Sequence, residues 1–140
     1  MRIMAVDYGD ARTGLAVSDA SGTLVGEAWV LNEKNQKAAA KTIAGDARSR
    51  DVGMIVVGYP KNMDGSVGPR AEKSERLAEL LREECDVEVV LWDERMTSVS
   101  ANRILSDAGK KRGKQRAKVD AVAAAIILQN YLDFLRGLRE

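Results

Sequence analysis

Residues 2–31 read RIMAVDYGDARTGLAVSDASGTLVGEAWVL, and the reading of this stretch decides the fold. Residues 2–8 carry the pattern of a buried strand, residues 13–19 a second, and Leu24–Leu31 a third. The connections are short. Gly9 and Gly14 bracket the first, and Asp19-Ala-Ser-Gly22 marks the second as a turn. Short consecutive strands with tight connections predict an antiparallel meander.

Beyond it the period of the apolar residues changes. Ala40, Ile43, Ala44 and Ala47 lie at helical spacing and predict a helix over Lys34–Arg50, with Gly45 inside it. The wholly apolar run Met54–Gly58 is the kind of strand that a parallel sheet buries on both faces. Pro69 suits the first turn of a helix whose inner face is Ser74, Leu77, Ala78 and Leu81. Val87–Trp92 reads as another buried strand. Thr97 or Ser98 caps a further helix, with Ala101, Ile104, Leu105 and Ala108 inward and Gly109 as its stop. The last helix runs from about Lys118 to Leu135 and is apolar nearly all round in its first half, which predicts deep packing. The order βββαβαβαα gives an α/β fold. It is a mixed five-stranded sheet, three antiparallel strands then two parallel ones, flanked by helices.

Bulk composition narrows the class. A chain of 140 residues argues for one domain over 1–140, and 45% hydrophobic residues suffice for a core. Aromatics are scarce, so the core should be aliphatic and Ala-rich. No apolar run approaches the roughly 20 residues of a membrane span, and the N-terminus has no signal-peptide layout. The lone Cys85, expected as a half-buried residue at a helix end, excludes an internal disulfide and fits a reducing cytosol. These features predict a cytoplasmic protein with no membrane partner.

Four carboxylates stand where a fold has little structural use for them. Asp7 ends the apolar run Ile3–Val6, Asp93 and Glu94 end Val87–Trp92, and Asp120 opens the apolar stretch Val119–Leu128. A carboxylate at the end of a buried element is costly unless something cationic meets it. The chain has no histidine and one cysteine, so zinc sites and Ser-His or Cys-His nucleophiles are poorly supplied. An all-oxygen site suits Mg²⁺ or Mn²⁺. Phosphodiester hydrolysis commonly uses two such ions about 4 Å apart, held by carboxylates from different elements. Strand alternation allows at most one of Asp93 and Glu94 to face such a site, leaving the other to pair elsewhere, for example with Arg95. Each acid also has an ordinary explanation. Asp120 fits a favourable helix N-terminus, Asp93-Glu94 a solvated strand end, and Asp7 an Asx-turn before Gly9.

The net charge is only +1, but its distribution is uneven. Lys110–Lys118 reads KKRGKQRAK, with six cations (Lys110, Lys111, Arg112, Lys114, Arg116 and Lys118) and no acid between Asp107 and Asp120. Such a run neutralises phosphates without reading sequence, and it has no interleaved aromatics for base stacking. The alternative is a solvated loop. Gly9 and Gly14 permit close approach to a ligand or simply make a hairpin turn. The loop Gly58–Pro69 lacks the Gly-Lys-Ser/Thr ending of a Walker loop, yet its backbone N–H groups can meet phosphate.

Four segments together resemble the YqgF/RuvX family of RNase H-like proteins, known as pre-16S rRNA nucleases and Holliday junction resolvase-like proteins. They are Asp7–Asp19 (DYGDARTGLAVSD), Val57–Ala71 (VGYPKNMDGSVGPRA), Asp93–Ser98 (DERMTS), and Lys118–Ala125 (KVDAVAAA) running into Ile127–Leu132 (ILQNYL). They cover the chain from end to end. The one departure is Tyr59, where family members often carry Leu. The resemblance implies an RNase H-like fold with Asp7, Glu94 and Asp120 as catalytic, metal-binding acids, and Asp93 as the alternate ligand. By the same carry-over Arg12, Arg95, Thr97 and the loop Lys61–Arg70, with Lys61, Asn62 and Arg70, shape a nucleic-acid groove. The implied function is a metal-dependent endonuclease that matures the 5′ end of pre-16S rRNA in ribosome biogenesis. The alternative is resolution of four-way DNA junctions. Monomer and homodimer both remain open, since symmetric junction cutting favours a two-fold dimer whereas RNA trimming needs only a monomer.

Two rivals remain. The superfold also underlies actin-like ATPases and sugar kinases, but those need two such domains around a nucleotide. A non-catalytic RNA-binding assembly factor would keep the fold without needing the acids.

Overall fold

The computed structural model describes the backbone of residues 1–96 and 116–139 and, within them, the side chains of 1–95 and 121–138. The predicted helix beginning at Thr97 or Ser98 therefore lies outside the described residues, as do Lys110, Lys111, Arg112 and Lys114. So do the side chains of Arg116, Lys118 and Asp120.

The elements follow the order β1 (Arg2–Asp7), β2 (Arg12–Ser18), β3 (Val25–Asn32), α1 (Gln36–Ser49), β4 (Val52–Tyr59), α2 (Pro69–Glu84), β5 (Glu88–Asp93), a 3₁₀ turn (Glu94–Met96) and α3 (Arg116–Arg139). One sheet has the strand order β3-β2-β1-β4-β5. The meander β1–β3 is antiparallel, and β4 and β5 join parallel to β1. This is the mixed five-stranded sheet that the sequence predicts.

Several boundaries shift for local reasons. Helix α1 starts at Gln36 because the Asn35 side chain caps it, accepting from the Ala38 N–H at 2.9 Å. Strand β3 starts at Val25 because the Asp19 carboxylate takes the N–H groups of Thr23 and Leu24 at 2.9 and 3.3 Å. Pro69 opens α2 as expected, and Cys85 is its half-buried C-cap residue, whose thiol donates to the Leu81 carbonyl at 3.1 Å.

The core has two layers. Met4, Val6, Leu15, Val17, Ile55 and Val57 face α1 and α2, meeting Ala40, Ile43, Leu77 and Leu81. Ile3, Ala5, Ala16, Val56 and Trp92 face α3, meeting Ala124, Ile127, Leu128, Tyr131 and Leu132. The core is aliphatic and Ala-rich, with a cluster of aromatic rings on its α3 side. Trp92 packs edge-on against Tyr131 at 5.4 Å between ring centres, with Phe134 beside it at 5.3 Å.

Helix α3 corrects two expectations. It is not buried all round. One stripe packs on the sheet while Ala121, Val122, Ala123, Ala125 and Ile126 are only half-buried. Its segment Ala121–Leu138 is also long and apolar enough, by length and composition, to cross a membrane. The sequence expectation missed this because charged residues are merely sparse there, not absent. The stripe against Trp92, Val56 and Ala5 makes it the covering helix of this sheet face.

Candidate active site

The alternation of side chains along β1 sets the position of Asp7. Ile3 and Ala5 point to α3, Met4 and Val6 to the other layer, so Asp7 follows on the α3 face at the strand's end. It is half-buried and pairs in register with Gly14 of β2. The turn after it depends on Gly9. A β-carbon there would stand 2.3 Å from the Arg12 carbonyl oxygen, closer than any side chain tolerates. Arg12 opens β2 opposite Asn32 and is half-buried.

Strand β4 lies beside β1, with Val57 opposite Val6, which sets Gly58 next to Asp7 at the same sheet end. A β-carbon on Gly58 would meet Ile127 Cδ1 at 2.8 Å and the Glu94 carboxyl at 3.3–3.4 Å. The missing side chain leaves the Glu94 carboxyl room that even an alanine would crowd. Glu94 follows Val90 and Trp92 in alternation, and both of these lie on the α3 face. Burial pushes its carboxyl above the usual carboxylate range. Arg70 opposes that shift and Asp93 adds to it.

Asp93 goes the other way. Its carboxylate accepts from Arg95 Nε at 3.0 and 3.1 Å, from Nη2 at 2.7 Å and from the Arg95 backbone N–H at 2.9 Å. This fork holds its pKa below the usual range. The two adjacent acids thus occupy opposite environments, and the Arg95 guanidinium is engaged with Asp93.

The direction of α3 matters for the third acid. Tyr131 donates to Met54 Sδ at 3.4 Å near the start of β4, whereas Ile127 meets Gly58 near its end. Helix α3 therefore runs antiparallel to β4, and its earlier turns lead toward the sheet end that carries Asp7 and Glu94. Asp120 belongs to α3 one turn before Ala124. Its side chain lies outside the described residues. Among the described residues no three His, Cys, Asp or Glu side chains gather as a metal cluster.

The loop after β4 is self-braced. Asn62 Nδ2 donates to Ser66 Oγ at 2.9 Å, the Ser66 N–H donates to Asp64 Oδ1 at 2.9 Å, and the Gly65 N–H to the Asn62 carbonyl at 2.8 Å. The Asn62 amide is thus part of the loop's own frame. Lys61 Nζ lies over the Tyr59 ring, 5.3 Å from its centre. Arg70 sits in the first turn of α2 and is the cation that acts on Glu94. Thr97 and the basic run lie outside the described residues. Sequence reasoning passed over Tyr8, Asp10 and Lys73, which line a cleft with Gly9 and Arg70. Their only signal was the placing of cations at 70 and 73 on successive turns of one helix.

A mixed sheet of this order, covered by α3 and carrying acids at the ends of β1 and β5, defines an RNase H-like protein of the resolvase type. The chain belongs to the RuvX family, described as Holliday junction resolvase, whose model matches residues 1–134. A protein of Halothermothrix orenii, whose name assigns it as a pre-16S rRNA nuclease, is 44% identical over 138 residues and covers 99% of each chain. The solved RuvC of Thermus thermophilus superposes with a TM-score of 0.61 at 12% identity over 96% of each chain. The fowlpox virus Holliday junction resolvase gives 0.57 at 12% identity, over 96% of this chain and 99% of its own. At these identities the two structures speak for the fold.

Proposed function

We propose that this chain is a metal-dependent endonuclease that hydrolyses phosphodiester bonds, with Asp7, Glu94 and Asp120 as its acids and pre-16S rRNA as its substrate. The observation that carries the reading is the shared end of the sheet. Asp7 ends β1 on the α3 face, the Glu94 carboxyl lies beside Gly58, and the early turns of α3 lead to the same end. The name borne by the Halothermothrix orenii relative supports the choice of RNA.

The residues fit a hard divalent cation. The donors are all oxygen, and Gly58 leaves room where a side chain would crowd the Glu94 carboxyl. Asp7, Glu94 and Asp120 would hold Mg²⁺ or Mn²⁺, with Asp93 retired to Arg95. When bound, such ions supply the activated water and relieve charge on the leaving oxygen. The chain itself orients the acids. Gly58 admits Glu94, the Asp93–Arg95 fork fixes the turn that bears it, and Arg70 offers positive charge beside it. The basic run 110–118 would neutralise backbone phosphates further along the substrate.

The test is cleavage of a 5′-extended pre-16S rRNA fragment with Mn²⁺ and with Mg²⁺, using Asp7→Asn as the blank. RNA cutting that vanishes in the variant is expected. A second reading, resolution of four-way DNA junctions, is favoured by the family's own description. A synthetic junction in the same assay decides it, and symmetric cutting there with intact RNA would overturn the RNA assignment. Cutting of neither substrate would return the chain to a binding role. We place the reaction in the cytoplasm, where ribosomes are built, and either a monomer or a homodimer is compatible with it.

A further inference from the structure

Across the sheet end from Asp7 lies a cleft of about 220 Å³ lined by Tyr8, Gly9, Asp10, Arg70 and Lys73. Tyr8 follows Asp7 and so points to the opposite layer, where it packs against the α1–α2 core. Arg70 and Lys73 enter from the start of α2, and the Lys73 carbonyl accepts from Gln36 Nε2 at 2.7 Å, tying this turn to α1.

The cations are oddly placed for a structural role. Both fall within the first five residues of α2, where the helix dipole disfavours positive charge. Lys73 Nζ donates to Asp10 Oδ1 at 2.6 Å, but these side chains are 50% and 76% exposed, so their pairing adds little stability. The cleft holds two cations and one carboxylate, which leaves it one net positive charge for an anion. Gly9 of this cleft lies two residues after Asp7, so the cleft adjoins the acid end of β1.

We propose that this cleft is a phosphate subsite that grips the nucleotide next to the cleaved bond, a reading that rests on the nuclease function above. Arg70 and Lys73 meet the phosphate, and Gly9 lets it approach the backbone of the β1–β2 turn. Asp10 occupies Lys73 in the free protein and gives it up when the strand binds. The pairing makes a prediction of unusual sign, because removing an acid at Asp10 should tighten binding of a polyanion.

The experiment measures binding in EDTA of a 5′-extended pre-16S rRNA fragment and of versions with one neutral methylphosphonate at each successive linkage. Wild type, Lys73→Gln and Asp10→Asn are compared, with thermal melts to show that each is folded. In wild type one neutral linkage beside the cut position should weaken binding about tenfold. Lys73→Gln should bind about tenfold more weakly overall and lose its sensitivity at that linkage, with a salt slope shallower by about one. Asp10→Asn should bind several-fold more tightly. A Lys73→Gln profile identical to wild type, or weaker binding by Asp10→Asn, overturns the subsite. Cleavage run in parallel with Mn²⁺ separates the two readings. Cut RNA with an unchanged Lys73→Gln profile sinks the subsite alone. Uncut RNA with a Lys73-dependent linkage sinks the nuclease reading and leaves a phosphate-binding cleft.

Discussion

Gly58 and Glu94 divide one volume between them. A β-carbon on Gly58 would stand 3.3 Å from the Glu94 carboxyl carbon and 2.8 Å from Ile127 Cδ1. Ile127 presents the far end of a flexible side chain and can yield. Glu94, fixed by a 3₁₀ turn, has to shift by a few tenths of an ångström or more. Gly58→Ala should therefore lower stability by about 1–3 kcal/mol through overpacking. It should reduce kcat by more than tenfold through a misplaced carboxylate, with a smaller effect on KM. Thermal melts and single-turnover cleavage check both. A wild-type kcat in a folded Gly58→Ala protein would show that the Glu94 position is not critical.

The contrast between neighbouring acids gives a second prediction. Glu94→Gln keeps the size of a half-buried side chain and removes only its charge, so it should abolish cleavage while the protein stays folded and binds RNA. Asp93→Asn breaks the fork to Arg95 at a largely solvated corner. It should leave measurable cleavage and a slightly lower Tm. Parallel rate and melting measurements decide the matter, and equal loss of activity in both variants would contradict the split of roles.

The sheet was legible in the sequence because β1, β2, β4 and β5 carry apolar runs and most of the connections carry Gly or Asp. The meander of residues 2–31 and the apolar run ending at Gly58 made the mixed sheet readable, but not that β4 would join beside β1 to give the order β3-β2-β1-β4-β5. Side-chain alternation along Val87–Trp92 also suggested that one of Asp93 and Glu94 would pair elsewhere, and Asp93 does pair with Arg95. Longer-range facts were not legible. The dependence of Glu94 on a missing β-carbon at Gly58 joins residues on different strands, and no local pattern signals it. The cleft of Tyr8, Asp10 and Lys73 arises from a turn and a helix more than 60 residues apart, joined by the Lys73–Asp10 contact. The half-exposed flank of α3 was misjudged because an apolar run reports hydrophobicity and not which neighbours exist to cover it.

Asp19 predicts a pH effect. Its carboxylate accepts from the Thr23 N–H at 2.9 Å and from Ser21 Oγ at 3.0 Å, closing the turn between β2 and β3. The Thr23 N–H is the main cause that lowers its pKa, followed by Ser21 and other backbone donors after burial's opposing effect. A depressed folded pKa means that the stabilisation is present in full above the unfolded value of about 3.9 and disappears as pH falls through the folded value. Asp19→Asn should melt below wild type at pH 7, and the gap should close below about pH 4. A gap that is constant from pH 7 to pH 3 would contradict the charge-assisted cap.

Thr13 offers a stabilising substitution. It is fully buried in β2, and its Oγ1 has no hydrogen-bond partner among the described residues. Leu15 and Val17 share its face of the strand and pack toward α1 and α2. A buried hydroxyl left unpaired costs about 1 kcal/mol or more. Thr13→Val keeps the branched shape that a strand favours and removes the orphan oxygen. The variant should gain roughly 1 kcal/mol, raising Tm by about 2–4 °C for a chain of this size. An equal or lower Tm would show that the hydroxyl has a partner in solution.

The basic run before Asp120 is tested by salt. If Lys110, Lys111 and Arg112 contact backbone phosphates, each releases condensed counterions on binding, and log K falls with log[salt] by about 0.7–0.9 per contact. Reversing all three charges to Glu should weaken binding of the rRNA fragment and of unrelated RNA alike, because phosphate contacts carry no sequence code. The slope should become shallower by about 2–3. Cleavage at saturating RNA should persist, since these residues hold the strand and not the reacting phosphate. Titrations between 50 and 200 mM salt give the slope directly. A slope equal to wild type would mean that the run is a solvated loop, and the phosphates would then have to be met by Arg70, Lys73 and Lys61 at the sheet end.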